Sequence, residues 1–322
     1  MARQIYQAIV DGILVGGVYA LMAVGLTLIF GVLDIINIAQ GVLVILGAYL
    51  SYTLSVRIHL DLFLGLLITV PAMFVIGVVI QWAFIRRLRG RERTSMTLLV
   101  TYAVALIIEG ILYEIYGPDP KQLNASYVQS SVHVFGFYLS YIYLYGFALA
   151  LVFVAAIYAL LYRTGFGRSV RATMQDHTAA RLIGIDVNRV AALTFGVGVA
   201  VTAAGGMMFG ATNAFNPNSG YDLISRLLAI IILGGLGSIG GALAASVFML
   251  TLESLVTIWS PEWAIVVFYA ALVLVLLIRP TGFFGRCWWY SASAARAVSA
   301  VSSGSMTISE LSPSTMVMLA MS

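Results

Sequence analysis

Residues 163–189 read RTGFGRSVRATMQDHTAARLIGIDVNR, and this polar stretch decides how the chain is organised. It carries five arginines, two aspartates and one histidine. The segments on both sides are apolar for about 20 residues at a time, the length of a membrane-spanning helix. Because charged side chains are costly inside the hydrocarbon layer, the stretch cannot lie in lipid. We therefore expect a polar connection, called here the polar segment, between two membrane-spanning helices.

The composition of the 322-residue chain is that of a membrane protein. Apolar side chains make up 61% of the residues and charged ones 9%, whereas a soluble domain has about 25% charged residues. The apolar runs show no alternation of polar and apolar residues, which excludes barrel strands and indicates helices. We expect an all-α polytopic integral membrane protein with about 8–9 transmembrane helices.

The apolar runs and the arginine clusters predict the topology. Arginines at 86–93, 163–189 and 279–286 place these connections in the cytosol, because basic residues are retained on that side. The apolar stretch 227–259 is too long for one span, so its glycine run 234–241 predicts a broken or re-entrant segment near the cytosolic side. The other spans are expected at residues 9–33, 35–56, 62–85, 94–116, 138–162, 190–212 and 263–279.

Two regions differ in composition. Residues 1–286 form the expected transmembrane domain, which includes the polar segment. Residues 287–322 are rich in Ser, Ala and Met without periodicity, which predicts a disordered C-terminal tail. The net charge of +4 comes from short clusters between spans, so it reflects membrane orientation and not nucleic-acid binding.

Few polar groups are available for chemistry. The single lysine, Lys121, lies outside any glycine-rich phosphate loop, so the sequence has no G-x-x-x-x-G-K-[ST] nucleotide site. The histidines at 59, 133 and 177 lack the spacing of a zinc site. We expect no enzymatic activity, and no metal or cofactor bound by this chain.

Polar and small residues inside the spans are candidates for a solute path and for its gating. The selected path residues are Asn37, Gln40, Glu109 and Ser238, each with a helix-packing hydrogen bond as the alternative. The selected gating or packing glycines are Gly205, Gly206, Gly234, Gly235, Gly237 and Gly240. A rival function is a secondary transporter that uses an ion gradient through Glu109 or Glu253.

Within the polar segment, residues 169–183 predict one short amphipathic helix. Gly184 suits the left-handed position that follows a helix, and Asp186 suits the N-cap of the next span. Such a helix transmits force from a partner if it is docked. A solvated loop that only sets topology is the alternative.

Four segments, in this order, resemble the membrane permease subunits of the branched-chain amino acid type of ABC importer. They are NIAQGVLVILGAY (37–49), GRSVRATMQDHTAARLIGIDVNRV (167–190), LGGLGSIGGAL (233–243) and RPTGFFG (279–285). The resemblance implies that the polar segment holds a coupling helix, which docks into a groove on a cytosolic ATPase subunit. The implied coupling residues are Arg168, Arg171, Asp176, Thr178, Ala179, Ala180, Arg181 and Gly184.

The same resemblance implies a multi-subunit importer in the bacterial inner membrane. Its other parts would be a second homologous permease, two ABC ATPase subunits that bind ATP and Mg, and a periplasmic substrate-binding protein received by loops 117–137 and 213–222. Thr178 stands where the wider motif has glutamate, and residues 40–42, Gln-Gly-Val, stand where these permeases often have His-Gly-Glu. Branched-chain amino acids are the implied cargo, with urea, amides and other small polar or organic-acid solutes as alternatives.

Overall fold

The computed structural model describes residues 2–87, 93–123, 131–134, 137–279 and 282–283. In this part of the chain, helices dominate and one short antiparallel hairpin pairs β1 (Ser131–Val134) with β2 (Phe137–Ser140). The helices are α1 (Ala2–Leu33), α2 (Gln40–Ile58), α3 (Leu62–Ala83), α4 (Arg93–Tyr116), α5 (Tyr141–Arg163), α6 (Gly165–Gln175), α7 (His177–Leu182), α8 (Val187–Thr212), α9 (Ser219–Gly234), α10 (Ile239–Trp259) and α11 (Pro261–Ile278).

Eight helices of the described residues are long and apolar enough to cross a membrane, namely α1 to α5, α8, α10 and α11. The all-α membrane fold is thereby confirmed. The ninth segment, α9, has 16 residues and is about 24 Å long at 1.5 Å per residue, shorter than the hydrocarbon layer. Residues 88–92 of the first arginine cluster and the expected tail at 287–322 lie outside the described residues.

The second span begins later than the expected residue 35. Asp34 has a left-handed backbone (φ 53°) directly after α1, and α2 does not begin until Gln40. The residues between them form a non-helical connection that contains Asn37. Apolar composition predicted this span, but it could not show that a left-handed residue and side-chain hydrogen bonds would replace its first turn.

The expected break in 227–259 lies between α9 and α10, as the glycine run predicted. Gly235 and Gly237 have φ values of 96° and 81°, which L-residues with a side chain rarely adopt. The helices that flank this turn touch at Gly234 and Gly241, where a Cβ added to Gly241 would lie 2.0 Å from the Gly234 carbonyl oxygen. Two glycines therefore permit a contact that any side chain would prevent.

Contacts identify the two ends of the helix bundle. At one end the ring Nε2 of His177, in the polar segment, lies 2.9 Å from the Val32 carbonyl oxygen in the last turn of α1. At the same end the Phe283 amide donates to the Leu233 carbonyl (2.7 Å), so the chain after α11 closes against the α9–α10 turn. We expect this end, which carries the arginine-rich polar segment, to face the cytosol, and call it the inner end. Helix α1 therefore runs from the outer end to the inner end.

Helices α1, α2 and α8 form the centre of the fold. Helix α1 packs lengthwise against α8 and α10, while α2 and α3 pack against α8. The middle of α1 is fully buried from Ala20 to Val24. By contrast, α4, α5 and α11 expose many large apolar side chains, as expected of helices that face lipid or another membrane subunit. These packed helices thus form a buried centre that connects both ends of the fold.

Candidate coupling site and external cavity

The polar segment forms two helices, so the expectation of one helix over 169–183 is wrong. Helix α6 begins after Thr164, whose hydroxyl accepts a hydrogen bond from the Gly167 amide (3.0 Å). Asp176 then adopts an extended conformation (φ −158°), and its carboxylate accepts from the amides of Thr178 (2.7 Å) and Ala179 (3.1 Å). An aspartate that caps a new helix at this position ends the old one. The break between α6 and α7 follows from that side chain.

The C-terminal end of the segment is as predicted. Gly184 has a φ of 85°, and the amides of Gly184 and Ile185 donate to the carbonyls of Arg181 and Ala180, both at 3.0 Å. These paired bonds are a Schellman motif, which ends a helix on a left-handed glycine. Asp186 caps α8 by accepting from the amides of Asn188 (3.1 Å) and Arg189 (3.2 Å). Only a short turn, residues 183–186, therefore separates α7 from α8.

The selected coupling residues do not all face the same way. Most are exposed, namely Arg168, Asp176, Thr178, Ala179, Arg181 and Gly184, while Arg171 is half-buried with its guanidinium 4.6 Å from the centre of the Tyr162 ring. Ala180 is buried, with 1% exposure. Leu182 and Ile183 are 84% and 73% exposed, although the sequence did not single them out. The sequence feature that could have identified these two residues is their position directly before Gly184.

The other face of the segment is docked on the bundle. Val170 and Thr173 are fully buried, and His177 contacts the last turn of α1 through the Val32 carbonyl. A Cβ added to Gly31 would lie 2.5 Å from Met174 Cε and 3.6 Å from Gly237 Cα. The segment, the end of α1 and the α9–α10 turn therefore meet at one point. Spacing in the sequence gave no signal for this junction.

Two of the selected path residues lie in a buried hydrogen-bond chain. Asn37 Nδ2 donates to Gln40 Oε1 (2.9 Å), Gln40 Nε2 donates to Thr202 Oγ1, and Thr202 donates to the Gly198 carbonyl (2.8 Å). Asn37, Gln40 and Thr202 are each 0% exposed. The chain connects the start of α2 to the middle of α8. In this conformation both residues hold helices together and do not border an open channel.

The other two selected path residues lie apart from that chain. Glu109 on α4 accepts a hydrogen bond from the Tyr221 hydroxyl on α9 (2.7 Å) and is half-buried. Ser238 is the N-cap of α10, where its hydroxyl accepts from the Gly241 amide (3.1 Å). The four selected residues therefore occupy three separate places.

The selected glycines divide by role. A Cβ on Gly205 would lie 2.4 Å from Met22 Cγ, and one on Gly206 would lie 2.1 Å from the Val44 carbonyl oxygen. Gly234, Gly235 and Gly237 form the tight turn between α9 and α10 described above. Gly240 is exposed, and a Cβ there meets no atom of the described residues within 4 Å. Helix contact thus accounts for Gly205 and Gly206, but not for Gly240.

A polar cavity of about 460 Å³ lies between α1, α5, α8, α9 and α10 toward the outer end. It contains an ion pair in which Arg226 Nη1 contacts both carboxylate oxygens of Glu253, at 2.9 and 2.8 Å. The two side chains are 22% and 15% exposed. Sequence reasoning noted Glu253 and missed Arg226, which directly precedes the apolar run 227–259. The sequence feature that could have identified Arg226 is the presence of an arginine beside a membrane-spanning apolar run.

The described residues also bear on metal binding. Among them, no group of three or more His, Cys, Asp or Glu side chains is placed to hold a metal ion.

Backbone hydrogen bonds join the connections at the outer end. The backbones of Lys121 and Phe215 exchange two hydrogen bonds of 2.9 Å each. The Leu123 amide donates to the Gly210 carbonyl, also at 2.9 Å. The two connections expected to be external are therefore joined to each other.

Comparison with known proteins identifies the family. A family model described as a branched-chain amino acid transport system permease component matches residues 8–276. The high-affinity branched-chain amino acid transport system permease protein BraD of Pseudomonas aeruginosa is 28% identical over 299 residues, which cover 87% of this chain and 95% of the relative. LivH of Escherichia coli K12, a permease of the same description, is 29% identical over 300 residues, with the same two coverages.

A more distant similarity extends to another import system. The autoinducer 2 import system permease protein LsrC of Escherichia coli O9:H4 is 29% identical over 236 residues, which cover 68% of this chain and 62% of the relative. No solved structure matches the chain. The family model spans most of the sequence, including the polar segment and the cavity-forming helices. The chain therefore belongs to the family of branched-chain amino acid transport system permease components.

Proposed function

We propose that this chain is the membrane-spanning permease subunit of an ATP-driven, binding-protein-dependent importer, and that it translocates branched-chain amino acids across a bacterial inner membrane. The family assignment supports a permease role, and the BraD and LivH relatives are named for branched-chain amino acids. In this proposal, ATP and Mg are bound by two separate ATPase subunits, and a second homologous permease completes the membrane part.

The single observation that carries the proposal is the two-sided polar segment. The face of the segment that points away from the helix bundle exposes Leu182 and Ile183 beside the exposed Ala179, Arg181 and Gly184. In this proposal that face meets the cytosol. Large apolar side chains exposed next to small residues are typical of a protein-binding surface. A groove on an ATPase that accepts these two apolar side chains would not need the glutamate that Thr178 replaces.

The opposite face of the polar segment packs against the helix bundle, and motion of the segment would pass to the bundle through it. His177 holds the last turn of α1, and Met174 fills the space over Gly31 next to Gly237. A displacement of the segment would therefore press on α1 and on the α9–α10 turn together. Helix α1 and helix α10, which follows the turn, both reach the outer cavity, since Tyr19 and Glu253 line it. In this proposal, ATP-driven closure of the ATPase pair changes the cavity through α1, α9 and α10.

The outer connections are the proposed contact for the periplasmic binding protein. Backbone pairing of Lys121 with Phe215 joins the connection after α4 to the connection after α8. Phe215 is buried with its ring 4.9 Å from that of Tyr49 on α2. A partner bound to these connections would thus act on α2 and on the start of α9.

Co-purification tests whether the polar segment holds the ATPases. The permease, its homologous partner and the ATPases are co-expressed, and the ATPase retained by the tagged permease is measured. Leu182→Asp places a charge in the proposed apolar contact, so we expect most of the ATPase to be lost. Asn188→Asp adds a charge to another exposed position at the same end and should retain it. Equal retention by both variants would contradict docking at Leu182.

A further inference from the structure

We propose that the outer cavity around Arg226 is a binding site for a zwitterionic α-amino acid with an apolar side chain. In this site Asp222 receives the ammonium group of the solute and Arg226 its carboxylate. The inference rests on the importer function proposed above, because it names the place where the cargo leaves the binding protein and enters the membrane part.

The cavity has the size and position of such a site. Its volume of about 460 Å³ is equal to about 15 water molecules at about 30 Å³ each, enough for one amino acid and some water. It includes Asn213 and Ser219, at the end of α8 and the start of α9. These residues flank the connection that faces the outer side, opposite the polar segment. A solute that arrives from outside would meet this cavity first.

The guanidinium of Arg226 is held in place and keeps donors for a ligand. Glu253 engages only Nη1, and Tyr19 places its hydroxyl against the same guanidinium. The ring of Phe268 lies 5.6 Å from its central carbon. An arginine has five N–H donors in a rigid fork that suits a carboxylate. Even with these neighbours, donors remain for a second carboxylate.

Asp222 supplies the opposite charge. It lies four residues before Arg226 on α9, so the two side chains share one face of the helix. It lines the same cavity, is exposed, and has no salt-bridge partner among the described residues. A cation and an additional carboxylate that lie one helical turn apart match the two charges of an α-amino acid. A neutral amide or a simple organic acid would not engage both Asp222 and Arg226.

Apolar side chains complete the cavity. Val15 on α1, Phe209 on α8, Leu223 on α9 and Leu250 on α10 line its wall. An aliphatic side chain of the solute would contact these four groups, and the charged groups of the solute would contact the polar part of the lining. In this proposal the apolar part of the wall favours a solute with an aliphatic side chain.

A direct binding measurement tests the site. The two permeases and two ATPases are reconstituted in lipid nanodiscs without the binding protein, and binding of radiolabelled leucine is measured. Leucinamide, which lacks the carboxylate, and 4-methylpentanoate, which lacks the ammonium group, serve as competitors. We expect leucine to bind and both analogues to compete at least about tenfold less well, because each loses one charge-assisted contact.

Variants locate the binding in this cavity. Asp222→Asn should weaken leucine binding about tenfold or more, whereas Glu262→Gln removes an exposed carboxylate at the start of α11, outside the cavity, and should leave binding unchanged. Arg226→Leu with Glu253→Leu removes both charges of the pair, so no buried charge is left unpaired, and it should abolish binding.

The outcomes separate this inference from the proposed function. Absent leucine binding by the unaltered complex, or equal binding by the Asp222→Asn and Glu262→Gln variants, would overturn the cavity site. Uptake by the complete importer is measured in parallel. If ATP-dependent and binding-protein-dependent uptake persists in the Asp222→Asn variant at the unaltered rate, the cavity site fails while the importer function stands.

Discussion

At the scale of single residues, glycine contacts control how closely α8 approaches its neighbours. A Cβ at Gly206 would lie 2.1 Å from the Val44 carbonyl oxygen. No rotamer change relieves this clash, because the position of a Cβ is set by its own backbone and the oxygen is a backbone atom of α2. Gly206→Ala should therefore force α2 away from α8 and lower the thermal unfolding midpoint of the purified protein. Thermal denaturation followed by size-exclusion chromatography in detergent measures this effect.

Gly110 supplies the matched control. It lies in α4, is exposed, and a Cβ there meets no atom of the described residues within 4 Å. Gly110→Ala should leave the midpoint unchanged or raise it slightly, since alanine favours a helix. A loss of stability as large as that of Gly206→Ala would argue against the α2–α8 contact.

The buried hydrogen-bond chain at the start of α2 gives a second prediction at this scale. Gln40→Leu removes the acceptor of the Asn37 amide and the donor to Thr202, and leaves buried polar groups unsatisfied. We expect a destabilisation of about 1–3 kcal/mol, measured as a lower unfolding midpoint, while uptake at a permissive temperature is retained. Gln122→Leu, at an exposed position, is the control. Lost uptake with unchanged stability would instead identify Gln40 as a path residue.

Sequence reasoning predicted residues well where the local backbone decides their role. Gly184 and Asp186 act as the C-terminal glycine and the N-cap because both roles depend on neighbours within a few residues. Arg226 was missed because its role depends on Glu253, which is 27 positions away. Pairings at that range are set by how helices pack, and one sequence does not report them.

At the scale of elements, the contact between α7 and α1 is the proposed route for motion. His177→Ala removes the bond to the Val32 carbonyl without altering the exposed Leu182 and Ile183. We therefore expect the ATPases to remain bound while less leucine is moved per ATP hydrolysed. The measurement is the ratio of uptake to hydrolysis in proteoliposomes.

His59→Ala serves as the control for that ratio. His59 is an exposed residue that follows α2 at the outer end, so its loss should not alter the ratio. An unchanged ratio in His177→Ala would indicate that motion does not pass through the α7–α1 contact. Loss of the ATPases from that variant would show that His177 acts in docking instead.

Helices were predicted correctly from the sequence where the length of an apolar run marks a membrane span. The broken stretch was located correctly because Gly235 and Gly237 interrupt an apolar run that is otherwise continuous. The split between α6 and α7 was missed because Asp176 fits either a single amphipathic helix or the cap of a second one. The structure shows the second arrangement, in which the Asp176 carboxylate accepts from the amides of Thr178 and Ala179.

At the scale of the whole molecule, the topology is open to direct test. The polar segment lies at the inner end, and the joined connections around Lys121 and Phe215 lie at the outer end. In a Cys287→Ser background, Arg181→Cys should react with an impermeant maleimide only from the cytosolic side. Gln122→Cys should react only from the periplasmic side. Labelling of both variants from one side would contradict the orientation.

In the whole molecule, we propose that ATP-driven motion at the inner end acts on a solute site at the outer end. Leucine uptake into proteoliposomes tests it most directly, with the complete importer, ATP enclosed in the lumen to serve the ATPases, and the binding protein added outside. We predict uptake that requires both ATP and the binding protein, persists when ionophores collapse all ion gradients, and is lost in Leu182→Asp. Uptake that continues without ATP and follows a proton or sodium gradient would contradict the account.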